Sequence, residues 1–352
     1  MAIIDKPSTY FQTTLYTGNA SNNHAITNSG QSNLAPNWVW IKNISTGSNR
    51  LFDSVRGVNK IFTSDNTSAS DGNYSSTLTA FGSNGFTLAN DSDGFNVNLN
   101  SNSYASWNWA AGTSFSNNAG ANGASLASTG SVNTTAGFSI VSWTSPNSNA
   151  NTIAHGLGSV PEMIIMKKRG AAGGWVVYHQ AMGNTHGMFL STANAKEDNA
   201  GFFNDTSPTS AVFTTGSDGG LINNTMIAYC FAGKQSYSKF GLYIGNGNAD
   251  GPFVYLGFKP AFVLVKLASG ADDWQILDNK RNPINIMDKY LRPNDNGATV
   301  TNAVVDFLSN GFKLRSSAGS WNPNGGSFIF MAFAENPFVT STGNNSIPSP
   351  AK

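Results

Sequence analysis

A strand pattern that occurs three times constrains this chain more than any other feature of its sequence. In each copy a proline is followed by an apolar run that ends in a lysine, at residues 36–42, 161–167 and 260–266. An aromatic closing strand follows each run at a nearly constant distance, and it ends at Trp109, Phe231 and Phe333. An order and spacing kept three times indicates tandem copies of one structural unit.

Each copy has the features of a β-sandwich. The proline-led strands are apolar on both faces, which is typical of strands buried between two layers. Asn-Gly pairs at 84–85 and 310–311 are flanked by apolar residues and predict hairpin turns. Abundant Gly, Asn, Ser and Thr disfavour helices. The sequence therefore predicts an all-β protein of three tandem, jelly-roll-like β-sandwich repeats of about 100 residues.

The repeats predict the domain boundaries. The first sandwich is expected at 1–112, the second at 134–236 and the third at 237–337, with a C-terminal tail at 338–352. Residues 113–133 consist mainly of Gly, Ala, Ser, Asn and Thr, so a flexible linker is expected there. Such a linker would let the first repeat swing, whereas the short second junction would hold the second and third repeats together.

Composition and charge disfavour several classes of partner. Charged residues make up 11% of the chain, the net charge is +1 and no basic stripe is present, so nucleic acid is not an expected partner. No apolar stretch approaches the roughly 20 residues of a membrane-spanning helix, and the first residues do not resemble a signal peptide. Cys230 is the single cysteine, which excludes intrachain disulfides. We expect a soluble protein made in a cytoplasm.

No catalytic residue, cofactor or metal ligand is predicted. The chain has no recognisable nucleophile motif and no clear pair of acids. Its four histidines occupy unlike positions without zinc-site spacing. Oxygen-rich loops at 91–98 and 245–251 leave structural calcium as an open alternative. An Asp-x-x-Arg pattern at 53–56 and 278–281 predicts a structural ion pair, and the second repeat replaces it with the segment 178–183.

Most aromatic residues fall on repeated strand positions and are expected in the core. Trp109, Phe231 and Phe333 are predicted to be buried and equivalent. Trp321 lies in a loop that is not repeated, so it is the candidate for an exposed residue that stacks on a glycan.

The repeated motifs resemble a family of modules found in virion proteins of marine tailed phages. The resemblance rests on the segments 36–42, 51–57, 81–86 and 104–109, and on 237–243, 250–255 and 333–342 of the third repeat. It implies a non-enzymatic structural protein of the virion, synthesised in the host cytoplasm, with other virion proteins as partners. It implies no catalytic residues.

The expected function is a tail fibre or tail-associated adhesin that contacts a glycan or protein of the host surface. Two alternatives are a head-decoration or capsid-fibre protein that clamps coat proteins and, more remotely, a polysaccharide-degrading tailspike. Closed symmetric oligomers are common, and the divergence of the second repeat favours a homotrimer over a monomeric pseudo-trimer.

Overall fold

A computed structural model describes residues 3–68, 72–218 and 220–340. Within these ranges the chain forms 26 strands, one single-turn α-helix and two 3-10 helices, at Pro7–Thr9 and Gln180–Met182. The prediction of an all-β protein is confirmed. The strands form three successive two-sheet units, here called modules 1, 2 and 3.

Module 1 packs a five-stranded sheet, in the order β1-β8-β3-β4-β5, against a three-stranded sheet, β2-β7-β6. The strands are β1 Phe11–Thr17, β2 His24–Thr27, β3 Trp38–Asn43, β4 Arg50–Asp53, β5 Phe62–Thr63, β6 Leu78–Gly82, β7 Gly85–Leu88 and β8 Ser103–Trp109.

Module 2 contains an eight-stranded sheet, β16-β15-β14-β13-β18-β11-β10-β9, and the pair β12-β17. Its elements are β9 Thr113–Asn117, β10 Ser128–Asn133, β11 Phe138–Ser145, β12 Asn151–Ala154, β13 Met163–Lys168, β14 Val176–His179, β15 His186–Phe189, β16 Glu197–Asp198, α1 Ala200–Phe203, β17 Val212–Thr215 and β18 Asn224–Phe231.

Module 3 packs the sheet β19-β26-β21-β22 against the sheet β20-β25-β24-β23. Its strands are β19 Ser238–Ile244, β20 Phe253–Tyr255, β21 Phe258–Leu267, β22 Gln275–Asp278, β23 Met287–Tyr290, β24 Val300–Leu308, β25 Gly311–Leu314 and β26 Ser327–Pro337. The expected tail begins after β26, and its residues 341–352 lie outside the described residues.

The proline-led strand and the closing strand pair in the same register in all three modules. The facing pairs are Trp38 with Trp109, Met163 with Phe231, and Phe262 with Phe333. Residues with the same place in this register are called corresponding residues below. The lysines Lys42, Lys167 and Lys266 correspond to one another, since each faces the position four residues before the last aromatic.

Each proline-led strand has one face in its own sandwich and the other in a core shared by all three modules. Val39 and Ile41 lie inside module 1, whereas Trp38 and Trp40 lie in the shared core. Trp109, Phe231 and Phe333 are at most 1% exposed and belong to the shared core, so their predicted burial is confirmed. Ring contacts cross the modules there, for example Trp38 with Tyr229 at 4.5 Å between centroids and Trp109 with Phe333 at 5.6 Å. The modules therefore form one packed body with a quasi-threefold arrangement.

The region expected to be a flexible linker is instead ordered, and this expectation is wrong. Residues 113–117 and 128–133 form β9 and β10, and β10 pairs along β11 at the edge of the module 2 sheet. Phe115, Leu126 and Val132 pack against the module 2 core. Gly130 allows close strand approach, because a Cβ there would lie 2.0 Å from the Ile140 carbonyl oxygen. Small residues here serve packing, and module 1 is held in the shared core.

Corresponding side chains just before β4, β14 and β22 connect the three modules in a cycle. Trp175 of module 2 donates from Nε1 to the Thr63 carbonyl of module 1 at 2.9 Å. Trp274 of module 3 donates in the same way to the Phe189 carbonyl of module 2 at 3.0 Å. The corresponding Asn49 of module 1 donates from Nδ2 to a module 3 carbonyl, that of Arg292, at 2.9 Å. Each module thus donates to one neighbour and accepts from the other.

The three lysines that end the proline-led strands are buried and donate to backbone carbonyls. Lys42 reaches the Asp295 carbonyl of module 3 at 3.0 Å, and Lys167 reaches the Thr67 carbonyl of module 1 at 3.1 Å. Lys266 donates to the Leu267 carbonyl at 2.6 Å. Burial lowers the pKa of each amine to about 8. Two of the three lysines therefore add links to the same cycle.

Candidate functional site

The Asp-x-x-Arg corners lie where each module meets the next. Asp53 accepts from Arg56 Nε at 2.5 Å and from the hydroxyl of Tyr229, in module 2, at 2.8 Å. Both side chains of the ion pair are fully buried. A buried ion pair of this kind needs further hydrogen bonds to offset its desolvation, and the neighbouring module supplies one.

Module 3 repeats the arrangement with a different donor. Asp278 accepts from Arg281 Nε at 2.6 Å and from Nε1 of Trp107, in module 1, at 3.3 Å. Trp107 corresponds to Tyr229, because each lies two residues before the last aromatic of its closing strand. The predicted structural ion pairs are therefore present, and both are also intermodule contacts.

His179 occupies the same corner in module 2. The residue of module 3 that corresponds to Tyr229 is Met331, which has no donor group, so an aspartate here would lack its intermodule hydrogen bond. His179 instead donates from Nε2 to the Phe330 carbonyl of module 3 at 3.1 Å, and its Nδ1 accepts from the amide of Ala181 at 3.2 Å. Burial lowers the pKa of His179 to about 4, so the ring is neutral near pH 7.

Surface clefts lie directly outside these corners. The residue that follows the corner is Ser54 in module 1, Gln180 in module 2 and Asn279 in module 3. Each of these residues lines a depression between its own module and the next one. Strands β9 and β10 contribute to the wall of the depression beside Ser54. Clefts between packed units are common places for ligand binding.

The cleft between modules 2 and 3, called the 2–3 cleft, has a volume of about 500 Å³. Its floor holds Glu162, whose carboxylate accepts from the Gly233 amide at 3.2 Å and from Gln180 Nε2 at 2.9 Å. Gln180 Nε2 also donates to the Phe240 carbonyl at 2.9 Å. Burial raises the pKa of Glu162, while its contacts with the Gly233 amide and Gln180 and the nearby lysines act in the opposite direction.

An exposed aromatic ring forms one wall of the 2–3 cleft. Tyr255 is 54% exposed on edge strand β20. Lys239 donates from Nζ to the Tyr255 carbonyl at 2.7 Å, and its Nζ lies 5.3 Å from the centroid of that ring. The cleft thus combines a flat aromatic surface with amide, carboxylate and ammonium groups. Such a set can stack on a sugar ring and hydrogen-bond to its hydroxyls.

Trp321 is not the exposed binding residue that its position in the sequence predicts. Its side chain is 0% exposed in the core of module 3 and contacts Tyr290, with 5.2 Å between ring centroids. Its loop folds back over the sandwich because Asn322, also buried, donates to Asn246 Oδ1, the Asn248 carbonyl and the Ser316 carbonyl. A loop position outside the repeat pattern was therefore a poor guide to exposure.

In the two loops considered for calcium, oxygen atoms accept hydrogen bonds from N–H groups of the protein. Asp91 accepts from the amides of Phe95, Val97 and Asn98 at 2.8–3.2 Å. Loop 245–251 surrounds the amide of Asn322, as described above. No cluster of three or more His, Cys, Asp or Glu residues placed to hold a metal occurs among the described residues. The four histidines do not converge, and His24 instead contacts Asn98 Oδ1 at 2.7 Å.

Tyr255 is the residue of the cleft that sequence reasoning missed. It lies in the segment 250–255, which carried part of the family resemblance, but its exposure was not predicted. The available signal was alternation: Phe253 and Tyr255 are exposed on either side of the buried Val254. Aromatic residues on the solvent face of an alternating strand are candidates for binding.

Comparisons with known proteins give one match. A family model described as a domain of unknown function (DUF7483) matches residues 6–337. No curated protein and no solved structure matches the chain. Among the described residues, no helix has the length and apolar character needed to span a membrane.

Proposed function

We propose that the chain, which belongs to the DUF7483 family, is a structural protein of a bacteriophage virion that acts as a tail-associated adhesin or tail fibre. In this proposal the 2–3 cleft binds glycan of the host surface. The resemblance of the repeated motifs to virion modules of marine tailed phages supports the particle assignment.

The observation that carries the binding role is that Tyr255 lines the same cleft as Glu162 and Gln180. The ring is exposed, whereas the polar groups of the floor are fixed by hydrogen bonds to backbone amide and carbonyl groups of module 2 and module 3. Preformed polar groups lose little conformational freedom on binding, which favours recognition of a flexible glycan. The packed body would present the cleft with a constant shape.

Glycan arrays and envelope preparations from marine bacteria test the proposal with the purified chain. Tyr255→Ala is expected to weaken binding by about 2- to 10-fold, because one aromatic contact is lost. Phe253→Ala is the matched control, since Phe253 is exposed on the same strand but does not line the 2–3 cleft. Equal binding by both variants and the unchanged chain would contradict the role of the cleft.

Localisation on the virion tests the particle assignment separately. A reconstruction of the phage should show the three-module body at the tail. Density of this shape on the capsid would instead favour the head-decoration alternative. A homotrimer of chains remains a prediction, and it now rests only on the frequency of closed symmetric oligomers. The divergence at His179 is explained within one chain by Met331 of the adjacent module, so it no longer argues for association of three chains.

A further inference from the structure

One side of module 3 carries an open groove between the edges of its two sheets. Strand β19 ends one sheet and β20 ends the other, so within the described residues each pairs with a strand on one side only. Leu242 and Ile244 of β19 and Phe253 and Tyr255 of β20 line this β19–β20 groove, which has a volume of about 480 Å³. Their side chains are between 41% and 54% exposed. Contiguous exposed apolar surface of this kind often marks an interaction site.

The backbone of β19 has free hydrogen-bonding groups along the groove. Just beyond the strand, the Gly245 amide donates to the Gly326 carbonyl, in the register of the pairing between β19 and β26. Residues of an antiparallel strand alternate in the side to which their backbone groups point, so the odd-numbered residues of β19 bond to β26. The amides and carbonyls of Leu242 and Ile244 therefore point away from β26, and they have no partner in the described part of the chain. Free groups in a row along an edge are a template for another strand.

The corresponding edge of module 2 is covered by a strand of the chain itself. Strand β11 corresponds to β19, since Phe138 faces the last aromatic of its closing strand, as Ser238 does. On its outer side β11 pairs with β10 in antiparallel orientation. Phe115 and Val132, from the hairpin of β9 and β10, pack against the core of module 2. The fold thus contains one example of a strand added at this edge.

Module 1 has the same edge without an aromatic border. Leu15 of β1 corresponds to the leucine of β19, and it is exposed to a similar extent. Thr27 of β2 corresponds to Tyr255, because each faces the glycine of an Asn-Gly hairpin. The place of Phe253 is accordingly taken by Ala25. The combination of an open edge with two exposed aromatic side chains is therefore particular to module 3.

We propose that the β19–β20 groove binds an extended segment of another polypeptide, which adds to β19 as an antiparallel strand. Backbone groups of the segment pair with those of Leu242 and Ile244, and its apolar side chains pack against Phe253 and Tyr255. Lys239 is the charged residue among the described residues that line the groove, so a neutral or acidic segment fits better than a basic one. This proposal does not rest on the proposed role in adhesion.

Other occupants of the groove satisfy these features less well. A single strand is sufficient at the edge, as β10 is in module 2, whereas a folded second copy would have to approach with the edges of two sheets about 10 Å apart. Residues 341–352 of the chain itself are mostly polar and include two prolines, which lack the amide that strand pairing needs.

Peptide selection on the full-length chain tests the proposal. The probes are random peptides of about eight residues, within the usual length of a strand, displayed as a library. Enriched peptides should alternate apolar with polar residues and should slow amide hydrogen exchange at Leu242 and Ile244. The Gly245 amide, already bonded to Gly326, should not change. Failure to enrich alternating peptides, or unchanged exchange at Leu242 and Ile244 on peptide binding, would overturn the proposal.

Variants locate the bound peptide. Leu242→Pro removes an amide that points into the groove and keeps the bonds to β26, and proline is tolerated on edge strands in this orientation. Phe253→Ala removes one aromatic side chain and no backbone bond, so it decides the test if Leu242→Pro does not fold. Each variant is expected to weaken binding of a selected peptide by about 2- to 10-fold, because one hydrogen bond or one aromatic contact is lost. Leu15→Pro, at the corresponding position of β1, is the matched control and should leave peptide binding unchanged.

The remaining outcomes separate this groove from other sites and other occupants. Phe253→Ala should weaken peptide binding without affecting glycan binding, since Phe253 does not line the 2–3 cleft. Unchanged peptide affinity in both Phe253→Ala and Leu242→Pro would overturn the proposal. Peptide binding that appears only after removal of residues 341–352 would instead assign the groove to that segment. Self-association of the wild type that is lost in Phe253→Ala would assign it to a second copy of the chain.

Discussion

Acidification should destabilise the folded chain through His179, the residue at the corner of module 2. Its Nδ1 accepts a backbone amide hydrogen bond and its Nε2 donates to a carbonyl of module 3. Protonation of Nδ1 would remove the first hydrogen bond and place a charge in the buried junction. Burial accordingly lowers the pKa of His179 from 6.5 to about 4 in the folded state.

The direction and size of the effect follow from this pKa difference. Because the folded-state pKa is the lower one, the contribution of His179 to stability is fully present above pH 6.5 and is lost as the pH falls towards about 4. The complete difference corresponds to a loss of about 3 kcal/mol. At pH 5 the unfolded state is mostly protonated and the folded state mostly neutral, so about 2 kcal/mol is already lost.

Denaturant unfolding at pH 7.5 and pH 5 measures this loss, and His179→Gln isolates it. Gln retains an Nε2 donor for the Phe330 carbonyl but does not titrate. We expect the variant to lose about 2 kcal/mol less than the wild type between the two pH values. Burial also lowers the pKa of His155, and that contribution is common to both proteins. His186→Gln serves as the control for replacing a histidine with glutamine elsewhere in module 2, and an identical pH dependence in His179→Gln and the wild type would refute the reasoning.

Four further predictions concern the packing, the assembly and the activity of the chain. Trp109→Ala should cost about 3–5 kcal/mol and lower a single calorimetric transition of the whole chain; separate transitions for separate modules would contradict a shared core. His179→Asp should destabilise the chain, and adding Met182→Arg and Met331→Tyr should restore stability in a denaturant titration, because these changes recreate the corner of module 1. Native mass spectrometry should show a homotrimer, and a mass near 37.1 kDa at micromolar concentration would exclude it. No oligosaccharide should be released from host envelope by the purified protein, whereas release abolished by one Asp or Glu substitution would establish a hydrolase.

The elements with a repeated pattern could be predicted from sequence because burial imposes that pattern locally. A strand with both faces in a core must be apolar on both faces, and the third to sixth residues of the segments 36–42, 161–167 and 260–266 are all apolar. The same pattern predicted the burial of Trp109, Phe231 and Phe333. It did not distinguish a strand face directed into its own sandwich from one directed into a core shared with other modules, since both require the same apolar residues.

The linker and Trp321 show where composition fails as a guide. Glycine and small polar residues are typical of flexible segments, but they also suit an added edge strand, where Gly130 lies close to the Ile140 carbonyl. Trp321 looked like an exposed loop residue because its position is not repeated. Its burial depends on a loop held by Asn322, and two of the three acceptors of Asn322, in Asn246 and Asn248, lie 76 and 74 residues earlier in the chain. Long-range polar contacts of this kind leave no periodic trace in the sequence.

The corners at Asp53, His179 and Asp278 each depend on a neighbouring module. The clefts beside them could therefore not be predicted from the sequence of one module alone. Asp53 is completed by a tyrosine of module 2, and Asp278 by a tryptophan of module 1, so the fold of each corner depends on its neighbour. Where the neighbour offers Met331, the corner carries His179 instead of an aspartate. The departure of the second repeat is thus a local response to a different partner within one cyclic arrangement. Since the clefts lie directly outside these corners, their linings also diverge from module to module, and one body acquires an open aromatic cleft at one junction and a smaller pocket of mixed polar and apolar lining at another.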